Sequence, residues 1–309
     1  MSTAEMLLIA LLLDAILGEP KWLWSRVPHP IVVMGKAIAT LDRRLNRGAR
    51  RRIKGVFLMI GLCLLAGMLG AAVARLPGGD LWSILLTAIL LAQKSLADHV
   101  NDVARGLEKS LEKGRQTVGK IVGRDTTEMD TSAVARAAIE SAAENQSDGV
   151  VAPAIFFLLF GLPGLLIYKI TNTADSMIGY RTVRYEAFGW AAARLDDLLN
   201  LAPARLTALF FAAVSGTRMN FADLRTDARL HRSPNAGWPE AAMARGLDVA
   251  LSGPRSYDGE IRDFPYVNAA GKRIIGSSEV NQSVTFLWRS WAVLTTLILG
   301  IAAIMLFLS

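Results

Sequence analysis

Gly55–Ala74 reads GVFLMIGLCLLAGMLGAAVA, twenty residues without a charge. At 1.5 Å of rise per residue, a helix of that length covers the ~30 Å hydrocarbon core of a bilayer. Lys54 and Arg75 mark its two ends. Trp291–Leu308 (WAVLTTLILGIAAIMLFL) is a second uncharged run, entered from Arg289. Leu81–Ala92 is shorter but continues into a helical pattern, which gives a third expected span over 81–100. Met6–Leu17 is short and carries Asp14. Glu5 stands where a secretory signal would be basic, and no A-x-A site follows, so this segment reads as a weak span or an interfacial helix. Val150–Ile167 (VVAPAIFFLLFGLPGLLI) holds Pro153, Gly161, Pro163 and Gly164. Proline removes a helix hydrogen bond and Gly-Leu-Pro-Gly signals a turn, so a broken or re-entrant helix is expected here. Leu206–Gly216 is apolar but too short to cross untilted.

The rest of the composition agrees with a membrane protein. Of 309 residues, 52% are hydrophobic and 20% charged, below the ~25% charged of soluble domains. The net charge of +7 is concentrated, because Glu19–Lys54 holds ten Lys/Arg against Glu19 and Asp42. One basic segment of this kind excludes a general nucleic-acid-binding surface. Cys63 is the only cysteine and sits in an apolar run, which excludes a disulfide scaffold and points to inert packing. Short Lys/Arg-rich loops stay in the cytoplasm. Residues 19–54 are therefore expected inside, 75–80 outside and 93–149 inside, in a multi-pass protein of the cell (inner) membrane. If 150–167 and 206–216 both re-enter, all the polar segments (93–149, 168–205 and 217–285) share the cytoplasmic side. The expected fold is all-α: one integral membrane domain over 1–309, a polytopic helical bundle with broken or re-entrant helices and cytoplasmic helical loops. Strand signals are few, and Tyr266–Ile275 could form a hairpin around Ala270-Gly271.

The middle of the chain carries the polar residues that a membrane makes expensive. In RAAIESAAENQSD, Arg136, Glu140, Glu144 and Asp148 recur every four residues and so share a helix face. Three acids in a row repel unless a cation or an amine sits among them. The bland alternative is a solvated acidic face relieved by Arg136. In YKITNTADSMIGYRTVRY, Asn172 and Asp175 are i, i+3 neighbours, with Lys169, Arg181 and Arg184 close by. A carboxylate, an amide and several cations suit a metal-bridged phosphate. A basic patch facing lipid head groups is the bland alternative. Of Asp196-Asp197, at most one can share such a site, since adjacent helical residues diverge by about 100°. Gly114-Arg-Gln-Thr-Val-Gly119-Lys120 matches G-x-x-x-x-G-K, but Ile121 stands where a P-loop needs Ser or Thr. His29, between Pro28 and Pro30, is a loop or a catalytic histidine; His99 and His231 lie in no metal-ligand spacing. Ser233–Gly237 (SPNAG) makes a tight loop before a helix, which could present backbone N–H groups to an anion or simply cap the helix.

With these motifs in view, the chain resembles the adenosylcobinamide-phosphate synthases, membrane enzymes of cobalamin biosynthesis. The resemblance rests on Asp14–Pro30 (DAILGEPKWLWSRVPHP), Val122–Thr127 (VGRDTT), Glu140–Pro153 (ESAAENQSDGVVAP), Tyr168–Tyr185 and Ser233–Ala241 (SPNAGWPEA). It implies an ATP- and Mg²⁺-dependent ligase that joins the propionate carboxyl of adenosylcobyric acid to aminopropanol or its phosphate. On physical grounds Asp148 and Asp175 are then expected on Mg²⁺. Lys169, Arg124, Arg181 and Arg184 are expected on phosphate oxygens. Glu140 or Glu144 would take the ammonium and its proton. Asp125, Asn145, Asn172 and His29 are expected to contact substrate. The expected partners are the corrinoid, the amine, ATP and the lipid bilayer, and assembly into a homo-oligomer is left open. Two alternatives are an intramembrane Mg²⁺-dependent prenyl or phosphoryl transferase, which would want paired acids where Gly179 follows Asp175, and a non-enzymatic membrane sensor or regulator of related architecture.

Overall fold

The computed structural model describes residues 1–123, 125–216, 219–257 and 260–308, without the side chains of Lys21 and 255–262. The helices run α1 Thr3–Leu17, α2 Lys21–Trp24, α3 Pro30–Leu45, α4 Arg51–Ala74, α5 Gly79–Leu90, α6 Gln93–Lys109 and α7 Leu111–Val118. They continue as α8 Thr131–Gln146, a π-helical turn Ser147–Val151, α9 Ala152–Ile178, α10 Trp190–Leu199, α11 Leu201–Val214, α12 Phe221–Ala228, α13 Gly237–Leu247 and α14 Ser277–Leu308. Four stretches of the described residues are long and apolar enough to cross a membrane: Arg51–Ala74, Gly79–Lys109, Thr131–Ile178 and Ser277–Leu308. The pair α10 and α11 would make a fifth, broken one. The fold is that of a polytopic, all-α membrane protein.

The chain forms two compact units. The first comprises Met1–Ala92, Ala152–Asn200 and Leu297–Ser309. Its centre is α4 against α9. The buried positions of α4 are Gly55, Leu58, Met59, Leu62, Ala66 and Gly70, spaced by three and four as one helix face requires. They meet Ile170, Ala174 and Ile178 of α9. Glycine is required where the backbones close up: a Cβ on Gly70 would lie 2.7 Å from the Cα of Pro163. The other face of α4 leaves Phe57, Ile60, Leu64, Leu65 and Met68 exposed. So large an apolar surface needs lipid to cover it.

The break expected in 150–167 is present at Gly161, whose φ of 62° and ψ of −156° interrupt α9 two residues before Pro163. The apolar run is, however, the middle of a helical stretch that begins at Thr131 and ends at Ile178. The span expected over 81–100 is likewise not one straight helix. α5 ends at Leu90, Leu91 is extended, and α6 begins at Gln93.

The second unit comprises Gln93–Val151 and Leu201–Thr296. Its core gathers Val100, Val103 and Ala104 of α6, Ala135, Ala138, Ile139 and Ala142 of α8, Phe211 of α11, and Ala241–Ala244 of α13. The hairpin expected over 266–275 is a correction. β1 Leu251–Ser252 pairs antiparallel with β4 Tyr266–Val267, and β2 Arg255–Tyr257 pairs with β3 Glu260–Arg262. Residues after Val267 instead turn at Asn268, whose φ is 53°, and place Lys272 beside Val249.

Candidate functional site

In the second unit, three segments distant in sequence bring polar side chains together. α8 starts at Asp130, whose carboxylate caps the helix by accepting from the Ala133 N–H at 2.6 Å. That start presents Glu140 and Glu144 one turn apart. Glu140 is buried and accepts the Ser252 N–H at 2.7 Å, which fixes β1 where Ser252 takes a φ of 62°. Asn145 donates to the Ser141 carbonyl at 2.8 Å. Arg136 turns away from the stripe and donates to the carbonyl of Arg273 at 3.1 Å. Asp148 falls in the π-helical turn, where the regular four-residue register is lost.

Glu144 is met by His231 and Glu240, with one ligand atom from each lying within 4.8 Å of the others. Glu240 sits on α13 and is 2% exposed. His231 Nε2 lies 3.5 Å from Glu240 Oε1. Gly237 makes that approach feasible, since a Cβ there would stand 2.2 Å from the Ala228 carbonyl and 2.8 Å from His231 Cβ. The loop between them is internally satisfied. Ser233 N–H donates to His231 Nδ1 at 3.0 Å, and Asn235 and Ala236 N–H groups donate to Ser233 Oγ. Arg205 clamps the loop from α11, donating to Asn235 Oδ1 at 3.0 Å with its guanidinium over the Trp238 ring. In SPNAG the N–H groups of Ser233, Asn235 and Ala236 therefore serve the loop itself. The carboxylates of Glu144 and Glu240 form an oxygen donor set of the kind Mg²⁺ takes with one or two side chains.

The first unit holds the other motif. Lys169 is buried on α9, and Asn172 donates to Asp196 Oδ1 at 3.3 Å. Asn200 also donates to Asp196, at 3.0 Å, and Tyr168 donates to Asn200. Of the Asp196-Asp197 pair, Asp196 is thus the member that turns inward, a buried acceptor for Asn172. Asp175 has its own space reserved: a Cβ on Gly179 would fall 1.9 Å from Asp175 Oδ1. Arg184 donates to the buried Asp42 at 2.6 Å, and this partner raises the guanidinium pKa further. Arg181 is exposed in the same loop. His29 caps α3: Nδ1 accepts from the Ile31 N–H, and Nε2 faces the Ile89 carbonyl at 3.2 Å. Burial lowers its pKa, against Glu19, and the charge of Lys169 lowers it further, so His29, Glu19 and Lys169 share one electrostatic neighbourhood.

Asp125 is an exposed turn residue whose carboxylate accepts from the Thr127 hydroxyl and N–H, and these bonds lower its pKa. Arg124 lies outside the described residues. Gly114–Val118 belongs to helix α7, where Gly114 packs on Leu107, so the G-x-x-x-x-G-K match forms no phosphate loop. Of the expected residues that the structure describes, the second unit thus holds Asp125, Glu140, Glu144, Asn145 and Asp148, and the first holds His29, Lys169, Asn172, Asp175, Arg181 and Arg184. His231 and Glu240 were missed. Glu240 lies inside the quoted SPNAGWPEA motif, but no spacing ties it to Glu144.

Long apolar helices with ionisable side chains such as Glu140, Lys169 and Asp196 buried among the helices define a polytopic membrane protein. The chain belongs to the CobD/Cbib protein family, whose model matches residues 7–287. It is 49% identical to a "Cobalamin biosynthesis protein CobD" of Rhizobium meliloti (strain 1021), over 95% of this chain and 96% of the relative. A protein of the same name from Sinorhizobium sp is 47% identical over 96% of this chain and 98% of its own. One from Rhodobacter capsulatus is 48% identical over 87% and 88%. Comparison with solved structures finds no match.

Proposed function

We propose that the protein acts in cobalamin biosynthesis as an ATP- and Mg²⁺-dependent amide ligase. It would join the propionate carboxyl of adenosylcobyric acid to aminopropanol or aminopropanol phosphate. The observation that carries this reading is the family match over residues 7–287, which spans all five motifs that carry the resemblance. A carboxylate does not acylate an amine at neutral pH, because its oxygen is a poor leaving group. Transfer of the γ-phosphoryl group of ATP to the carboxylate gives an acyl phosphate and ADP. The amine then attacks the acyl carbon, and the C–O bond to phosphate breaks, releasing inorganic phosphate and a proton.

Phosphoryl transfer asks the protein chiefly for positioning and charge neutralisation. Mg²⁺ would supply neutralisation at the phosphate oxygens; Asp148 of the second unit and Asp175 of the first are each assigned as a carboxylate ligand to Mg²⁺. Lys169, Arg181, Arg184 and Arg124 are assigned to phosphate oxygens. Glu140 or Glu144 is assigned to the ammonium, with a base worth roughly 10²–10⁴-fold in rate. The site would face the cytoplasm, where ATP is. The test is mass spectrometry of purified protein with ATP, Mg²⁺, the corrinoid acid and each form of the amine. A condensed product with one ADP and one phosphate per amide supports the reading. ATP-independent turnover of a prenyl diphosphate, or no condensation at all, overturns it.

A further inference from the structure

We propose that the turn joining α3 to α4 is a docking surface for the headgroups of anionic phospholipids. Residues 43–54 hold seven Lys/Arg and no acid. Five of these cations, Arg43, Arg44, Arg47, Arg50 and Arg52, are exposed. Among the described residues, no carboxylate forms an ion pair with any of the seven, and the adjacent Asp42 is held by Arg184. The other two cations build the surface. Lys54 Nζ donates to the Arg47 carbonyl at 2.7 Å and closes the turn. Arg51 donates to the carbonyls of Val183 and Arg184, each at 3.4 Å, and so ties the loop before α10 to it. Cations gathered without counter-ions repel one another, and phosphodiesters supply the missing charge.

The surroundings of the arginines select a lipid among anions. On α4 the exposed apolar face begins at Phe57 and continues through Ile60, Leu64, Leu65 and Met68. Phe57 follows Arg52 by five residues, about 7–8 Å along the helix axis. That is close to the depth of one headgroup layer, since a bilayer measures ~30 Å across its hydrocarbon and ~40–45 Å with its headgroups. The cationic turn is thus continuous with the face that lipid covers. Val183, 90% exposed, lies beside Arg51, and Trp190 stacks on Arg52, whose guanidinium carbon is 3.9 Å from the ring centroid. Tryptophan at this level is the mark of a membrane interface. Stacking uses the face of the guanidinium and leaves its in-plane N–H groups to a phosphate. A soluble phosphate would need the arginines but not this apolar margin. The far end of α4 carries Arg75, and no further Lys/Arg occurs before Lys94. The preference for anionic lipid therefore belongs to one end of the span and to one leaflet.

The experiment reconstitutes the full chain in phosphatidylcholine bilayers. Acyl-chain spin-labelled phosphatidylglycerol is added, or spin-labelled phosphatidylcholine in parallel. Electron paramagnetic resonance gives the motionally restricted fraction of each, and from it the relative affinity of the protein for the two lipids. The expected result is a preference for phosphatidylglycerol, reduced in about 1 M sodium chloride, where the Debye length is about 3 Å. Arg50→Gln/Arg52→Gln should lower the preference by about fivefold or more. Arg225→Gln/Arg229→Gln removes the same charge from exposed positions in and just after α12 and should leave it unchanged. Equal restriction of the two lipids by the wild type overturns the proposal without any variant. A preference unmoved in Arg50→Gln/Arg52→Gln, or lowered alike by both double variants, overturns it too. Displacement of phosphatidylglycerol by inorganic phosphate, beyond that by sodium chloride at the same ionic strength, would assign the arginines to a soluble phosphate and overturn it as well.

Discussion

Arg184 donates its Nη2 to Oδ2 of Asp42 at 2.6 Å, across 142 positions of sequence. Asp42 is 5% exposed, whereas the guanidinium stands largely in solvent. Asn46 completes the junction, donating to Asp42 at 2.9 Å and to the Arg184 carbonyl at 3.1 Å. One cation expected on phosphate thus also anchors the 180–186 loop to α3. If anchoring dominates, Arg184→Ala and Asp42→Asn each lower the melting temperature in detergent. The double variant is then no worse than the worse single one, because both remove the same contact. A raised KM for ATP in Arg184→Ala, with unchanged melting, would assign the guanidinium to the phosphates instead.

His29 gives a pH prediction. Burial holds its pKa below the ordinary 6.5. Above 6.5 the ring is neutral in both the folded and unfolded chain, and its contribution is fully present. As the pH falls, the unfolded chain takes up the proton first, so stability is lost down through the folded pKa. Melting temperature should therefore fall more steeply between about pH 7 and pH 5 in the wild type than in His29→Gln. Equal slopes would mean that the histidine is not held neutral by the fold.

The parts of the molecule that were legible in the sequence are those with local causes. An uncharged run such as Gly55–Ala74 announces a helix in lipid by length alone. Gly161 and Pro163 announce a break because one permits positive φ and the other lacks an N–H. The interruption at Leu91–Ala92 carries neither residue, and so it left no signal. The β1–β4 pairing was hidden for another reason: its strands are two residues long and fourteen or more positions apart. His231 and Glu240 reach Glu144 through the packing of α13 on α8, to which no motif spacing corresponds. Helix geometry admits one of Asp196-Asp197 to the interior without saying which, and packing decides it: Asn172 and Asn200 both donate to Asp196.

The glycines of the first unit separate two kinds of requirement. At Gly161 the requirement is torsional, since φ 62° with ψ −156° is a region that side chains avoid at a cost of about 1–3 kcal/mol. At Gly70 it is steric, since the backbone of Pro163 would stand 2.7 Å from an added methyl carbon, and overpacking costs about 1–3 kcal/mol. Gly61, on the same helix, would meet nothing within 4 Å. Gly161→Ala and Gly70→Ala should each lose stability of that order in reversible detergent unfolding. Gly61→Ala should stay within about 0.5 kcal/mol. Equal effects at all three positions would refute the close packing of α4 on α9.

Gly179 allows the role of Asp175 to be tested without touching its carboxylate. A methyl group at 179 would occupy the place of Asp175 Oδ1, 1.9 Å away, and must push the side chain aside. Displacement of a reacting group by about 1 Å can cost about 10²-fold in rate. If Asp175 meets the metal-bound phosphate, Gly179→Ala should reduce kcat on that scale, and Asp175→Asn by at least as much. Lys120→Ala makes the contrasting case. Its glycine-rich match lies on and just after helix α7 rather than in a phosphate loop, so ATP affinity should hold within about twofold, where a true P-loop lysine would be required. Loss of nucleotide binding in Lys120→Ala with normal turnover in Gly179→Ala would move the phosphate site from the Tyr168–Tyr185 motif to the end of α7.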